Sequence, residues 1–233
     1  MFCRERYQHW LLVGSYLVGI LGTAVCLALL FLLAGRLDYW QGWLFAWVTL
    51  FFISAALYIF QNDKDLSKER IKPGPGTKWW DKVFFVFYVP LNAAVLATAS
   101  LDTGRFFWSP ELPPVVYFSG YLLYITAQII IMWSMRTNRF FSSTVRIQRE
   151  RGQYVIQEGP YRYVRHPGYV GGISLALGMA LSLGSLWALI PAGGAVTALV
   201  IRTLLEDRTL QKELPGYSEY AQRVKSRLIP GLW

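Results

Sequence analysis

The stretch Val170–Ile201 reads VGGISLALGMALSLGSLWALIPAGGAVTALVI, 32 residues without a charged side chain. A helix needs about 20 apolar residues to cross the roughly 30 Å hydrocarbon core of a bilayer, so this stretch is too long for one crossing. Gly184-Ser185 and Pro191 stand near its middle, and glycine and proline favour a break between helices. We therefore predict a tight hairpin of two membrane-spanning helices.

Four further uncharged runs precede this hairpin, and each is long enough to cross a membrane as a helix. They are Trp10–Leu33, Trp40–Phe60, Val83–Leu101 and Val115–Trp133. The first run is longer than the apolar region of a secretory signal and lacks a small-residue cleavage pattern around Ala34, which predicts a retained span. Apolar residues make up 54% of the chain and charged residues only 16%, a membrane composition. The predicted fold class is all-α, a polytopic transmembrane helical bundle of about six spans whose last two form the helical hairpin.

Six spans would distribute the basic residues very unevenly between the two sides of the membrane. One side holds the N-terminus, the loops at 61–82 and 134–169 and the tail from Arg202, and with them 21 of the 23 Lys and Arg residues. The other side holds only Arg36 and Arg105. By the positive-inside rule, both termini are predicted to be cytoplasmic. The net charge of +9 then reflects membrane topology and predicts no nucleic-acid partner.

The whole chain, 1–233, is predicted to form a single integral membrane domain. Four N-terminal spans occupy 1–133, and a C-terminal core with the longest polar interval occupies 134–233. Cys3 in the N-terminus and Cys26 within the first span are not placed to pair, and the chain has no metal-ligand spacing, so neither a disulfide nor a metal is predicted.

Two segments are typical of contact with the membrane surface. Trp79-Trp80-Asp81-Lys82 combines aromatic and charged residues, as anchors at the lipid head groups do. Beyond Pro215, one face of a predicted helix carries Tyr217, Tyr220, Val224 and Leu228. We predict that this short helix lies on the inner surface of the membrane.

The segment from Glu158 to Tyr169 is the most unusual polar stretch. Pro167 fits the first turn of a helix, which places His166 at the helix entrance. A helix N-terminus offers free N–H groups and partial positive charge to an anion. From the residues alone, an anion-binding site and a basic turn that ends a loop remain equally good interpretations.

Arg202 and Glu206 stand four residues apart at the end of the last predicted span and share one helical face. One interpretation is an ion pair at a helix end, which is common and contributes little. The other is functional, since ionisable residues at the edge of a bilayer often belong to a site. Because this helix pairs with the one that His166 opens, both features should meet at the cytoplasmic mouth of the hairpin.

The run Gly159–Gly171 reads GPYRYVRHPGYVG and resembles a signature of the isoprenylcysteine carboxyl methyltransferases and the related phospholipid methyltransferases. Similar to the same family are Asn138-Arg139-Phe140-Phe141, Val145-Arg146-Ile147-Gln148, Glu206-Asp207, Leu210, Tyr217, Tyr220, Val224 and Arg227-Leu228-Ile229-Pro230. The loop from Glu69-Arg70 to Trp80-Asp81-Lys82 resembles that of prokaryotic members. The resemblance runs from about Glu69 to Trp233 and implies a prokaryotic-type member in the inner membrane of the cell.

The resemblance implies S-adenosyl-L-methionine as cofactor and S-adenosyl-L-homocysteine as its product, held in a cytoplasmic pocket of the C-terminal half. The residues that match the family's cofactor contacts are Gln148, Gln153, Tyr154, Val155, Ile156, Tyr161, His166, Pro167, Gly168, Tyr169 and Glu206. Arg202 matches the position that contacts the substrate carboxylate. Gln153 stands where many members have His, and Asp207 replaces the second Glu of the usual pair. No Gly-rich strand-turn-helix signature occurs, which agrees with a pocket outside a Rossmann fold.

The implied reaction is methyl transfer to the carboxylate of a prenylcysteine-like lipophilic acceptor that enters from the membrane. A carboxylate is ionised at pH 7 and needs a cation to hold it, for which the planar fork of Arg202 is suited. The alternative acceptors are a phospholipid amine and a small thiol. An amine must lose a proton, which requires a base such as Glu206, Asp207 or His166. Transport is disfavoured, because the apolar runs contain no ionisable residue.

Overall fold

The computed structural model describes residues 20–60 and 75–233, and every regular element in these ranges is helical. The elements are α1 (Ile20–Ala34), α2 (Trp40–Phe60), α3 (Trp79–Ala99) with a π-helical extension (Ser100–Phe106), α4 (Pro114–Thr137), α5 (Pro167–Ser182), α6 (Leu189–Glu213) and α7 (Tyr217–Arg223). Short 3-10 turns at Arg149–Arg151 and Gly159–Arg162 lie between α4 and α5. The all-α prediction is confirmed for the described part of the chain.

Four helices are long and apolar enough to cross a membrane: α2, α3 with its extension, α4 and α6. The helices α1 and α5 are apolar but shorter. The predicted run Trp10–Leu33 coincides with α1 from residue 20 onward, and Cys3 and residues 61–74 lie outside the described ranges. These helices are those of an integral membrane protein, while the count of six spans remains a prediction.

The predicted break within 170–201 falls at the glycine and not at the proline. α5 ends at Ser182, and Gly184 follows with φ of +81°, the left-handed conformation that glycine adopts easily. The Ser185 hydroxyl then donates to Asp102 on the extension of α3 at 2.5 Å. Pro191 is the third residue of α6, where its missing N–H breaks no helical hydrogen bond. Two consecutive helices joined by a short turn are confirmed, but Pro191 takes no part in the turn, and the crossing of the membrane by both helices remains a prediction.

Glycines bring α5 very close to α4. A Cβ built on Gly178 would lie 2.7 Å from the Tyr124 nitrogen, and one built on Gly120 would lie 2.3 Å from the Ser182 nitrogen. Real side chains cannot approach so closely, so both positions require glycine, as close helix contacts in membranes often do. Since α5 also packs against α6 and α3, it is the central helix of the C-terminal part.

The bundle has two chemically different ends. At one end, Arg105 donates from Nη2 to the Leu32 carbonyl oxygen at 3.0 Å, close to the turn between α5 and α6. The other end gathers the start of α3, the segment 138–166 between α4 and α5, and the chain beyond α6. The described loops that are rich in basic residues thus share one end, and the side of the membrane that this end faces remains a prediction.

Candidate cofactor cavity and a neighbouring buried arginine

A cavity opens at the end of the bundle where the segment 138–156 folds over the start of α5. The other walls come from the 3-10 turn before α5, the first turn of α5, the last turns of α6, and α7. The cavity contains about 850 Å³ of space not occupied by protein atoms, open solvent at its mouth included. Among the described residues, no group of three His, Cys, Asp or Glu side chains could hold a metal ion.

The cavity collects the residues that the family resemblance assigns to the cofactor. All eleven of them line it: Gln148, Gln153, Tyr154, Val155, Ile156, Tyr161, His166, Pro167, Gly168, Tyr169 and Glu206. They come from three separate stretches, 148–156, 161–169 and the end of α6, which only the fold brings together. Their role toward a cofactor stays a prediction.

One wall of the cavity was not predicted from the sequence. Tyr217 and Tyr220 of α7 are only 4% and 1% exposed and line the cavity together with Leu210 and Leu214. The aromatic face of this helix is therefore turned into the protein, where the sequence predicts contact with the membrane surface. Burial raises the pKa of both phenols, so they remain hydrogen-bond donors at neutral pH. Their spacing of three residues on one helical face is equally typical of a buried wall.

Gln148 shapes the segment that covers the cavity. Its Nε2 donates to the Phe140 carbonyl oxygen at 2.7 Å, and its Oε1 accepts from Arg151 Nη1 at 2.5 Å. The backbone N–H of Gln148 donates to Oε1 of Gln153 at 2.6 Å. The amide of Gln148 is thus engaged within the protein. Gln153, which stands where many family members have His, supports the backbone of the same segment.

The turn that opens α5 is tied to the chain beyond α7. α5 begins at Pro167 with His166 as its N-cap, as the sequence predicts. The backbone N–H of Arg165 donates to the Ser226 carbonyl oxygen at 3.0 Å, and that of His166 donates to the Arg227 carbonyl oxygen at 3.0 Å. These two bonds hold the tail against the cavity wall.

Asp207 is the centre of a buried network of polar groups. Arg165 donates from Nε and Nη2 to its two carboxylate oxygens at 2.8 and 2.9 Å, a bidentate pair. Further contacts come from His166 Nε2 at 3.2 Å, Arg227 Nε at 3.0 Å, Gln211 Nε2 at 2.8 Å and the Tyr217 hydroxyl at 3.1 Å. Because two guanidinium groups hold both of its oxygens, Asp207 is not placed to act as the base that an amine acceptor requires.

Glu206 precedes Asp207 on α6 and lines the cavity. The Tyr169 hydroxyl donates a hydrogen bond to its Oε2. The Tyr169 ring stacks on the His166 imidazole with a centroid distance of 5.6 Å and an angle of 7°. Tyr161 accepts from Asn138 Nδ2 at 3.3 Å, and burial raises the pKa of its phenol, so it too stays protonated. The polar wall is therefore built by side chains that already hold one another in place.

Arg202 lies beside the cavity and is not part of its lining. Its guanidinium carbon is 5.3 Å from the centre of the Tyr169 ring, which does line the cavity. Its Nη2 donates to the Ser143 carbonyl oxygen at 2.7 Å, and its Nε lies 2.9 Å from Oδ1 of Asp81 on α3. Within the described residues its ion-pair partner is Asp81 and not Glu206, so the interpretation as a pair within one helix end is wrong.

The position of Asp81 was not predicted from the sequence. The Trp79–Lys82 segment is predicted as a membrane-surface anchor, and Trp79 is indeed exposed. Asp81, however, is fully buried, and its Oδ2 accepts the Val145 N–H at 2.8 Å. The contact joins segments far apart in the chain, and no local sequence pattern indicates it.

A match to a known family covers most of the part of the chain that builds the cavity. Residues 115–215 match the phospholipid methyltransferase family. The chain is 27% identical over 146 residues to the protein-S-isoprenylcysteine O-methyltransferase of Rattus norvegicus, covering 58% of this chain and 49% of the relative. Its counterpart of the same name in Homo sapiens is 26% identical over 146 residues, with 58% and 49% covered. A probable protein-S-isoprenylcysteine O-methyltransferase of Oryza sativa subsp. indica is 30% identical over 129 residues, with 51% and 65% covered.

The chain spans about half the length of the mammalian relatives and somewhat under two thirds of the rice relative. The region that matches the family contains the turn that opens α5, as well as Arg202 and Glu206. The family match and the curated relatives together support the isoprenylcysteine carboxyl methyltransferase family for this chain.

Proposed function

We propose that this protein is an S-adenosylmethionine-dependent membrane methyltransferase that methylates the carboxylate of a prenylcysteine-like lipophilic acceptor. The observation that carries the proposal is the gathering of eleven family-matched residues around one cavity, beside the buried guanidinium of Arg202. In this proposal 134–233 forms the methyltransferase core and 1–133 supplies the four N-terminal spans. The names of the curated relatives support the same reaction class.

The chemistry of the cavity walls suits S-adenosylmethionine. The half-exposed ring of Tyr154, which meets the Phe140 ring edge-on at 5.2 Å, offers a face to an adenine base. Glu206, which lines the cavity, offers an anion to an ammonium group. When bound, the cofactor supplies a methyl group activated by a positively charged sulfur. The protein has to hold it, align it with the acceptor and exclude water.

Arg202 is suited to hold the acceptor carboxylate. Its guanidinium carbon lies 4.4 Å from the centre of the Phe84 ring and 5.0 Å from that of Phe85, so its surroundings on this side are apolar. The neighbouring Val86 and Phe87 of α3 are exposed on the outside of the bundle, where lipid would lie. A lipophilic tail could therefore remain in the bilayer while its carboxylate reaches Arg202. An ionised carboxylate is itself the nucleophile, so the reaction needs no base.

The second candidate is methylation of a phospholipid amine or a small thiol, which the match to the phospholipid methyltransferase family favours. An amine must lose a proton during the reaction. Glu206 accepts a hydrogen bond from Tyr169, Asp207 is held by two arginines, and His166 contacts Asp207. These contacts favour an acceptor that needs no base.

Methyl transfer by the purified full chain tests the proposal. Labelled S-adenosylmethionine is offered in lipid or detergent together with a prenylcysteine acid, phosphatidylethanolamine or a small thiol. We expect label in a base-labile methyl ester of the prenylcysteine acid. Label on the amine or the thiol alone would establish the second candidate, and label on none of them would refute the acceptor classes considered.

We also propose six spans with both termini in the cytoplasm, in the inner membrane of a prokaryotic cell. The proposal rests on the 21 basic residues assigned to one side and on the position of the cavity at the same end as the described basic loops. Reporter tags fused to both ends should each indicate the cytoplasm. A C-terminus found reproducibly outside would place the cavity on the side without S-adenosylmethionine, and an N-terminus found outside would overturn the count of six spans.

A further inference from the structure

The pairing of Arg202 with Asp81 goes beyond what the family resemblance assigns. Asp81 lies in the first turn of α3 and has no exposed surface. One of its oxygens lies 2.9 Å from Arg202 Nε, and the other accepts the Val145 N–H at 2.8 Å. A single carboxylate therefore connects α3, the segment over the cavity and α6 at the point where Arg202 stands.

We propose that Asp81 is a positioning residue for methyl transfer, which orients the Arg202 guanidinium toward the acceptor and balances its charge until the acceptor arrives. The inference rests on the proposed function, since the acceptor-binding role of Arg202 is part of it. An arginine buried without a counter-charge is strongly unfavourable. Asp81 supplies that counter-charge while no acceptor is bound.

The geometry of this pair differs from that of a locked ion pair. Nε of Arg202 and Oδ1 of Asp81 are within ion-pair distance, yet neither atom has a partner with hydrogen-bond geometry. The guanidinium is otherwise held by its Nη2 bond to Ser143 and by the face of the Phe84 ring. The hydrogen bond to Ser143 occupies Nη2 and Asp81 lies next to Nε, so an acceptor carboxylate would meet the Nη1 side and turn the group by a small angle.

The direction of the guanidinium matters because only one side chain separates it from the cavity. Tyr169 contacts Arg202 with its ring, and its hydroxyl donates to Glu206 in the cavity lining. A rotation of Arg202 therefore changes the approach of a bound acceptor to the cofactor site. Rates of group transfer depend steeply on such alignment.

The first experiment compares Asp81→Asn with the unaltered protein. Asparagine keeps the volume and an oxygen for the Val145 N–H, and it removes the charge opposite Arg202. We expect S-adenosylhomocysteine affinity to stay within about twofold, kcat with a prenylcysteine acid to fall at least tenfold, and the acceptor KM to change less than kcat. Glu213→Gln is the matched control, because it breaks the partly exposed Lys78–Glu213 pair that joins the same two helices. Its turnover should be unchanged.

A double-mutant cycle with Arg202→Lys decides whether Asp81 acts through Arg202. If it does, Asp81→Asn should cost less than threefold in kcat in the Arg202→Lys background, because coupled residues lose their interaction only once. An equal loss in both backgrounds overturns the proposal. Should Asp81→Asn fail to fold, Asp81→Glu is measured instead, because it keeps the charge and moves the carboxylate. A lower kcat at an unchanged melting temperature would support Asp81 as a positioning residue, and full activity would overturn the proposal.

The same cycle separates this inference from the proposed function. If the protein methylates an amine or a thiol and not the prenylcysteine acid, the proposed acceptor is wrong. The cycle is then run with the acceptor that is methylated. Coupling between the two substitutions would still support Asp81 as a positioning residue, and additive losses would overturn it.

Discussion

Two buried arginine–aspartate pairs lie at the same end of the bundle, and they are built differently. Arg165 and Asp207 share two parallel hydrogen bonds of 2.8 and 2.9 Å, and Nη1 of Arg165 also donates to three backbone carbonyl oxygens between Ala221 and Lys225. Arg202 and Asp81 share one contact of 2.9 Å without hydrogen-bond geometry. The first pair is saturated, whereas Nε of Arg202 and Oδ1 of Asp81 in the second pair each lack a hydrogen bond.

In our proposal, this difference separates residues that build the cavity from the arginine that binds the acceptor beside it. A buried ion pair is tolerated when hydrogen bonds satisfy every polar atom, and it then rigidifies its surroundings. Asp207 meets that condition and holds the tail to the start of α5. Arg202 does not meet it, and an incompletely satisfied buried charge is typical of a binding site. Substitutions in the Arg165–Asp207 pair should therefore reduce stability and cofactor binding, whereas substitutions in the Arg202–Asp81 pair should reduce turnover.

The largest effect is expected for Asp207→Ala. It leaves Arg165 and Arg227 without their shared carboxylate, and the loss of one partner of a buried pair costs about 3–5 kcal/mol. We expect a lower melting temperature together with loss of S-adenosylhomocysteine binding, both measured in detergent. Asp207→Glu should recover part of each. A variant that melts and binds like the parent would show that the network is not the scaffold of the cavity.

The next effect is that of Arg202→Ala on turnover. Truncation of one partner of a buried charge pair costs about 2–5 kcal/mol, or roughly 30-fold to several thousandfold in rate with a prenylcysteine acid. Affinity for the cofactor should remain nearly intact, and Arg202→Lys should recover only part, because an ammonium lacks the two-pronged geometry. Single-turnover rates and cofactor affinities of both variants test whether Arg202 acts on the acceptor or on the cofactor. A lost cofactor site would make Arg202 a cofactor or structural residue, and unchanged turnover would favour an amine or thiol acceptor.

A smaller effect is expected for His166→Ala and Glu206→Ala, which alter the cavity lining itself. Loss of one buried hydrogen bond to a charged group costs about 1.5–3 kcal/mol, so S-adenosylhomocysteine should bind roughly ten- to a hundredfold more weakly. Calorimetry or a fluorescent analogue can measure the change. Unchanged affinity in both well-folded variants would refute the assignment of the cavity to the cofactor.

The smallest effect is expected for Glu150→Gln near the cavity, because the Glu150 carboxylate is exposed although its partner Arg146 is buried. The hydrogen bond from Arg146 lowers the pKa of the Glu150 carboxyl, so its stabilising contribution is present above the unfolded pKa of about 4.3 and is lost as the pH falls. Because solvent screens the exposed carboxylate, we expect the pair to contribute about 1 kcal/mol or less. Melting curves of parent and variant should differ slightly at pH 7 and coincide near pH 3. A large difference at pH 7 would mean that exposure does not set the strength of these pairs.

The helices and much of the cavity could be predicted from the sequence because their signals are local. Uncharged runs predict the helices, Pro167 predicts the start of α5, and the Gly159–Gly171 motif carries much of the lining. In the hairpin, Gly184 governs the turn because it supplies a positive φ, whereas Pro191 is compatible with the helix that follows. Gly184 and Pro191 thus look like equally good turn signals in the sequence, but only Gly184 lies in the turn.

The contacts between distant segments could not be predicted. Asp81 and Tyr217 were both assigned to the membrane surface, since charged and aromatic residues next to a span are usually found there. Their burial depends on partners in other segments, Arg202 for one and Asp207 for the other. A single sequence holds no record of such pairs, and in our proposal these pairs distinguish the scaffold from the acceptor site.

The shortness of α5 has a consequence for the depth at which the reaction would occur. With 16 residues at 1.5 Å each, this helix is about 24 Å long, less than the roughly 30 Å thickness of a hydrocarbon core. If the loop between α5 and α6 stays at one boundary of the membrane, the N-terminal turn of α5 lies below the opposite boundary, within reach of acyl chains. The lipid composition should then influence the rate: longer acyl chains would sink the cavity deeper, and shorter ones would lift it toward the aqueous phase.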